Sequence, residues 1–147
     1  MRKKGNYGLI HGYRSGLEEQ VAQQLKDAGV QVAYETEKIQ YIKPARSAKY
    51  TPDFILPNGI VIETKGRFIT DDRQKHLLIK EEHPDIDIRF VFSNSKTRIS
   101  KRSQTTYAKW CEKHGFLYAD KYIPEEWLKE TPCDKRKTAL EQAKVNK

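Results

Sequence analysis

The chain of 147 residues holds only two cysteines, Cys111 and Cys133. One possible pair cannot make the disulfide framework that staples small secreted folds, so a reducing, intracellular setting is expected. No apolar run approaches the roughly 18 residues that suggest a membrane span. The basic start, Met1-Arg2-Lys3-Lys4, is followed by Gly5-Asn6-Tyr7-Gly8 and not by the apolar stretch of a secretory leader. There is no internal repeat and no low-complexity block. The length suits one domain with a core of its own, since such domains commonly run about 100–200 residues.

Acidic residues are also in short supply. Lys plus Arg number 28 against 20 Asp plus Glu, giving a net charge of +8 and a pI near 9.4. Such an excess attracts polyanions, nucleic acid foremost, although a basic protein without such a ligand carries the same balance. The deficit is local. Residues 1–14 hold Arg2, Lys3, Lys4 and Arg14 with no acid, and residues 93–109 hold Lys96, Arg98, Lys101, Arg102 and Lys109 with none. Ser93, Asn94, Ser95, Thr97, Ser100, Ser103 and Gln104 are interleaved there, short polar side chains that bond phosphate oxygens beside Lys and Arg. Arg2, Lys3, Lys4, Arg14, Lys96, Arg98, Lys101 and Arg102 are therefore candidate DNA contacts. The competing reading of 93–109 is a solvated loop leading into a helix.

The pattern along the chain gives a flexible basic arm over 1–13, then a helix. Ser15 suits its N-cap, with Glu18 three residues on as in a capping box. Leu17, Val21, Ala22 and Leu25 recur at helical spacing, and Gly29 follows as a C-terminal stop. Val30 to Ile42 reads as strand through Val32, Tyr34, Ile39 and Tyr41. Lys43-Pro44-Ala45-Arg46-Ser47 is a breaker and a candidate linker. Two apolar runs, Tyr50 to Leu56 and Ile60 to Thr64, flank Pro57-Asn58-Gly59 and predict a hairpin. A helix opens at Asp71-Asp72 and stops at Pro84, a short strand covers Ile86 to Phe92, and a helix runs from Ser103 to His114. A last strand is expected over Phe116 to Tyr118, and a helical turn with Pro124 at its first position. Beyond it, 130–147 reads as a polar tail, frayed or a lone helix. The whole is α/β, more fully an α+β mixed sheet with flanking helices.

Pro52-Asp53, nine residues, then Glu63-Thr64-Lys65 is the strongest chemical signal. Phosphodiester hydrolysis needs a divalent metal, an activated water and charge stabilisation, which two carboxylates and a lysine can supply. The hairpin register decides whether they converge. A two-residue turn at Asn58-Gly59 would turn Asp53 away from Glu63. A three-residue loop, a type I turn followed by a left-handed residue, sets Asp53 opposite Glu63 with Lys65 on the same face. Pro57 and Gly59 suit the first and last positions of that loop. The plainer alternative is the charged, solvent-facing side of a hairpin. It must accommodate acids between the apolar runs Phe54-Ile55-Leu56 and Ile60-Val61-Ile62, where a buried acid needs a partner. Arg67, just past this strand, is a candidate phosphate contact or a surface arginine.

These residues match the PD-(D/E)xK nuclease pattern. The wider chain resembles the endonuclease I of short-tailed phages, which are Holliday-junction resolvases. Arg14-Ser15-Gly16-Leu17-Glu18, Tyr50-Thr51-Pro52-Asp53-Phe54, Leu56-Pro57-Asn58-Gly59-Ile60, Glu63-Thr64-Lys65-Gly66 and Asp71-Asp72-Arg73 carry the resemblance. So do Lys75-His76-Leu77-Leu78-Ile79, Cys111-Glu112-Lys113-His114-Gly115 and Ala119-Asp120-Lys121. It runs from about Arg14 to Lys129, the span of a single nuclease domain, with the termini departing from it.

The resemblance implies a restriction-endonuclease-like core and a role for each motif residue. Asp53 and Glu63 are the implied ligands of a first metal, beside the Thr64 carbonyl oxygen. Glu18 is the implied fourth catalytic residue, joining Asp53 at a second metal, and Lys65 the catalytic lysine. The cofactor implied is Mg²⁺, two ions per site, with Mn²⁺ able to substitute. The partner implied is branched DNA in the cytoplasm of a host bacterium, with no small-molecule substrate. A homodimer with exchanged N-terminal segments is also implied, bridged by Lys43 to Lys49. Each site would then take Glu18 from one chain and Asp53, Glu63 and Lys65 from the other.

Cys111-Glu112-Lys113-His114 has the spacing of half a zinc site, but a structural zinc needs four ligands and Cys133 is the only other thiol. His11, His76 and His83 are scattered, with His76 facing either core or DNA. Tyr41, Tyr50, Phe54, Phe90, Phe92, Trp110 and Trp127 follow strand and helix periods and are expected in the core. Three readings stand: a junction-resolving nuclease, a duplex-nicking nuclease of the same superfamily, and a non-catalytic nucleic-acid-binding protein with structural carboxylates.

Overall fold

A computed structural model of the chain describes residues 16–43 and 46–144. The expected arm over 1–13, with Arg2, Lys3, Lys4 and His11, lies outside the described residues, as do Arg14 and the N-cap candidate Ser15. Helix α1 (Gly16–Asp27) forms on the apolar stripe through Val21 and Leu25. It stops as Gly29 predicts. Gly29 takes φ +71°, its N–H donates to the Lys26 carbonyl, and the Val30 N–H donates to the Leu25 carbonyl. This double bond pattern satisfies carbonyls that a helix end leaves open.

The single strand expected over 30–42 is two strands. The chain turns at Glu35, which sits at φ +50°, a left-handed conformation disfavoured for any residue with a Cβ. Strand β1 (Ala33–Tyr34) stays at the edge of the main sheet. Strand β2 (Ile39–Lys43) leaves it and pairs antiparallel with β3 (Arg46–Tyr50), from Ile39↔Tyr50 to Lys43↔Arg46. Within one chain, the described residues of the expected linker, Lys43, Arg46 and Ser47, are thus themselves paired strand. Pro44 and Ala45 lie outside the described residues.

The main sheet adds β4 (Phe54–Ile55), β5 (Val61–Lys65), β6 (Ile88–Phe92) and β7 (Tyr118–Asp120), in the order β1-β4-β5-β6-β7. β4 and β5 pair antiparallel with Phe54↔Ile62 and Ile55↔Val61, the register of the three-residue loop. Gly59 takes φ +94° and its N–H donates to the Leu56 carbonyl at 2.9 Å. β5, β6 and β7 are parallel, joined through α2 (Thr70–Glu82) and α3 (Tyr107–His114). The result is the mixed α/β architecture expected, an antiparallel half and a parallel half sharing β5.

Alternation along the strands fills a core on each face. Val61, Phe90 and Phe92 join Phe68, Ile79, Trp110 and Phe116 on the α2–α3 face. Phe54, Ile62 and Val91 join Val21, Leu25 and Trp127 on the α1 face. All seven aromatics assigned to the core are buried. Each such side chain contributes roughly 1.5–3 kcal/mol. Cys111 is buried in the same α2–α3 core, its thiol pushed up to about 12 mainly by burial.

The helix expected from Ser103 begins at Tyr107. The Ile99 N–H donates to the Thr105 carbonyl and the Tyr107 N–H to the Thr97 carbonyl, closing 97–107 into a loop. Only at Thr106, whose hydroxyl accepts the Lys109 N–H, does the helix start. The last strand falls at Tyr118–Asp120, and Pro124 precedes α4 (Glu125–Lys129) as its cap instead of occupying its first position. As far as Lys144, the last described residue, the tail is neither frayed nor a lone helix. It forms α5 (Asp134–Ala143), with Leu140 and Ala143 buried in the α2–α3 core. A Cβ on Gly59 would stand 3.1 Å from that of Arg136, so α5 seats directly on the β4–β5 turn. Among the described residues, no helix is long and apolar enough to cross a membrane.

Candidate active site

The site lies where β5 ends, and turn chemistry puts it there. Asn58 inside the turn accepts the Ile60 N–H and donates to the carbonyls of Trp127 and Glu130, so the loop is held at both ends. With the register fixed, Asp53 arrives beside Glu63 and Thr64. The Asp53 N–H donates to Glu63 Oε2 at 3.0 Å, while Asp53 Oδ2 accepts the Thr64 N–H and the Thr64 hydroxyl, both at 2.9 Å. Asp53, Glu63 and Glu18 are 3%, 2% and 4% exposed. Such burial of three acids is costly without compensating charge.

The acids form two groups that meet at Asp53. In the first, oxygens of Glu18, Glu35 and Asp53 all lie within 4.8 Å of one another. Glu18 projects from α1 and accepts the Tyr34 hydroxyl at 2.7 Å, and burial with that contact drives the Tyr34 hydroxyl's pKa far upward. The second group is Glu63, Lys65 and α2. Glu63 Oε2 accepts the Tyr50 hydroxyl at 2.5 Å, and Glu63 Oε1 lies 3.8 Å from Lys65 Nζ and 3.9 Å from His76 Nε2. Lys65 Nζ is also 3.6 Å from Asp72 on α2. Burial first, and the Asp53 charge second, push Glu63 up to about 8, against the opposing pull of Lys65, the Tyr50 hydroxyl and the Asp53 N–H. Burial, with Lys65 and Lys75 nearby, pushes His76 well below its usual range.

This geometry fits a divalent cation. Glu18, Glu35 and Asp53 offer three hard oxygen donors close together, the donor type that Mg²⁺ and Mn²⁺ favour. Of the expected residues, Glu18, Asp53, Glu63, Thr64 and Lys65 all fall in this one region. Thr64 contributes its N–H and hydroxyl to Asp53.

Three participants were not legible. The pattern of 30–42 reads Glu35 as part of a continuous strand, and no glycine or proline marks the bend that turns it inward. The period of Tyr50 places its ring in the core, where it lies, and is silent about the hydroxyl. His76 shares a helical face with Asp72 and Ile79, a spacing that places it under Lys65 once α2 is known to cover β5.

The candidate DNA contacts among the described residues, Arg67, Lys96, Arg98, Lys101 and Arg102, are exposed and gather near one end of the sheet. Arg67 follows β5 directly, and the loop with Lys96, Arg98, Lys101 and Arg102 follows β6. The Ser93 N–H donates to the Lys65 carbonyl at 3.2 Å, joining the two exits. Ser95 donates from its N–H and hydroxyl to Asp120, which roots the basic loop on β7. Ligands of open α/β sheets commonly sit at the carboxyl ends of parallel strands, which is this end.

A family model described as phage endonuclease I matches residues 2–147. The chain belongs to the phage endonuclease I family. The match reaches past Arg14 and Lys129 into both termini, which the shorter resemblance left out. The chain is 54% identical over 121 residues to "Endonuclease I" of Escherichia phage T7, covering 82% of this chain and 81% of that protein. It is 55% identical over 130 residues to "Endodeoxyribonuclease 1" of Enterobacteria phage T3, covering 86% of each.

Proposed function

We propose that the chain is a metal-dependent DNA endonuclease that resolves four-way junctions by paired, symmetric nicks. The observation that carries this is the junction of two acidic groups at Asp53, beside Lys65, in a member of an endonuclease family. Glu18, Glu35 and Asp53 would hold one divalent ion, and Asp53, Glu63 and the Thr64 carbonyl a second. Mg²⁺ is the natural ion, with Mn²⁺ able to replace it. Bound there, such ions lower the pKa of water and neutralise charge on the phosphate.

The chain's own residues do the rest. Lys65, held by Glu63 and Asp72, presents its ammonium toward the scissile phosphate. Thr64 fixes one Asp53 oxygen, and Tyr50 with the Asp53 N–H fixes one Glu63 oxygen, so both carboxylates are set before substrate arrives. Arg67, Lys96, Arg98, Lys101 and Arg102 contact flanking phosphates. Arg2, Lys3, Lys4 and Arg14 extend that contact from the N-terminal side. Recognition is of branched shape and backbone, not of base sequence.

Two symmetric cuts call for two equivalent sites, which a two-fold dimer supplies. Within one chain α1 and β1 already complete the site; in the dimer we propose, an exchange hinged at Lys43 to Lys49 would make these same contacts between copies, with α1 and β1 of one copy completing the site of the other. The working compartment is the host cell's cytoplasm.

DNA cleavage in Mg²⁺ and in EDTA, by wild type and Asp53→Ala, tests the catalytic reading. Binding in both conditions with cutting only by wild type in Mg²⁺ supports it. Tight binding without cutting in Mg²⁺ or Mn²⁺ makes the chain a binding protein with structural carboxylates.

A further inference from the structure

His76 is wholly buried, and neither ring nitrogen makes a hydrogen bond to a described residue. Leaving a buried donor unmet costs about 1–3 kcal/mol, so a histidine in such a place calls for a reason. Its surroundings supply one. The ring is edge-on to Tyr50 at 5.2 Å and to Phe90 at 4.9 Å, both at 84°, which fixes its plane. Nε2 stands 3.9 Å from Glu63 Oε1, too far for a hydrogen bond yet within a small movement of one. Tyr50, which clamps the ring, also donates to the other oxygen of the same carboxylate.

We propose that His76 carries a proton on Nε2 and is a positioning residue for Glu63, donating to Oε1 when that carboxylate is ionised and facing a divalent ion. The inference rests on the reading of Glu63 as a metal ligand. It needs no titration of the imidazole, because Nε2 bears the proton in the neutral tautomer named here and in the cation alike. Tyr50 and His76 then hold Glu63 by one oxygen each, in the way that outer partners orient metal-binding carboxylates. An Oε1 held by His76 leaves Lys65 to Asp72 and to the phosphate.

Two measurements test this, neither of them activity. Long-range proton–nitrogen NMR of the wild-type chain, with and without Mg²⁺, reads the His76 tautomer. A proton on Nε2 supports the proposal, and the Nδ1–H tautomer overturns it. Calorimetric titration with Mn²⁺ in the absence of DNA compares wild type, His76→Phe and His76→Gln, with circular dichroism confirming the fold. The phenylalanine variant is expected to bind Mn²⁺ about 10-fold or more weakly, and glutamine, which keeps a donor, to recover most of the loss. A folded His76→Phe that binds as wild type does overturns the proposal. Should wild type itself bind no Mn²⁺, the metal reading of Glu63 fails, while the tautomer still decides whether Nε2 faces Glu63 as a donor. That spectrum also decides the matter if neither variant folds.

Discussion

The Tyr50 hydroxyl donates to Glu63 Oε2 at 2.5 Å, and the same oxygen accepts the Asp53 N–H at 3.0 Å. A ring whose period places it in the core thus holds one oxygen of a candidate metal ligand. Tyr50→Phe keeps the ring, its packing on His76 and the fold, and removes one of two donors. The Mg²⁺ concentration for half-maximal cleavage is expected to rise roughly 10-fold, within the range for lost outer partners of metal ligands. An unchanged Mg²⁺ dependence would show that the hydroxyl does not orient Glu63.

Asp53 sets a second expectation through like charge. Its carboxylate lies among those of Glu18 and Glu35 and pushes Glu63 up. Asp53→Asn removes that charge and keeps an oxygen for Thr64. In EDTA at neutral pH the variant is expected to melt a few degrees above wild type, since about 1 kcal/mol moves Tm by 2–4 °C in a chain of this size. In Mg²⁺ wild type gains stability by binding the ion and the variant does not, so the order reverses. Thermal unfolding in both buffers reads this directly. A variant less stable than wild type in EDTA contradicts the repulsion.

The C-terminal helix gives a third. Leu140 is buried against the α2–α3 core, and Arg136 donates to the Asn58 carbonyl and to Glu130. Leu140→Ala is expected to cost about 2–4 kcal/mol in urea unfolding, as for other buried leucines. A lone or frayed helix would lose almost nothing.

The hairpin was the most legible part of the chain, because Pro57 and Gly59 each satisfy a backbone demand of one loop type, and that loop alone fixes the register. The end of α1 was legible for the same reason at Gly29, and Gly115, at φ +79°, closes α3 in the same way. The features that local sequence does not encode depend on long-range contact. Glu35 bends the chain without glycine or proline to announce it. Residues 97–107 are a closed loop because their N–H groups find carbonyls within the loop. The tail docks because Leu140 and Ala143 meet a core assembled from elements far earlier in the chain. His76 and Tyr50 belong to the site only because α2 and β3 lie over Glu63.

Exchange between subunits has its own test. Chains carrying Glu18→Ala, co-folded with chains carrying Lys65→Ala, should form heterodimers with one intact and one doubly damaged site if sites are composite. Purified heterodimers are expected to nick one strand of a junction. With Glu18 and Lys65 from the same chain, both sites stay damaged and the heterodimers are inactive.

The most direct test of the whole account is cleavage of an immobile four-way DNA junction in Mg²⁺, run beside a linear duplex of matching sequence, with wild type and Asp53→Ala and cuts mapped on all four strands. The expected result is symmetric paired cuts near the branch by wild type, little cutting of the duplex and none by the variant. Equal cutting of junction and duplex would contradict resolution of branched DNA and leave a general nuclease.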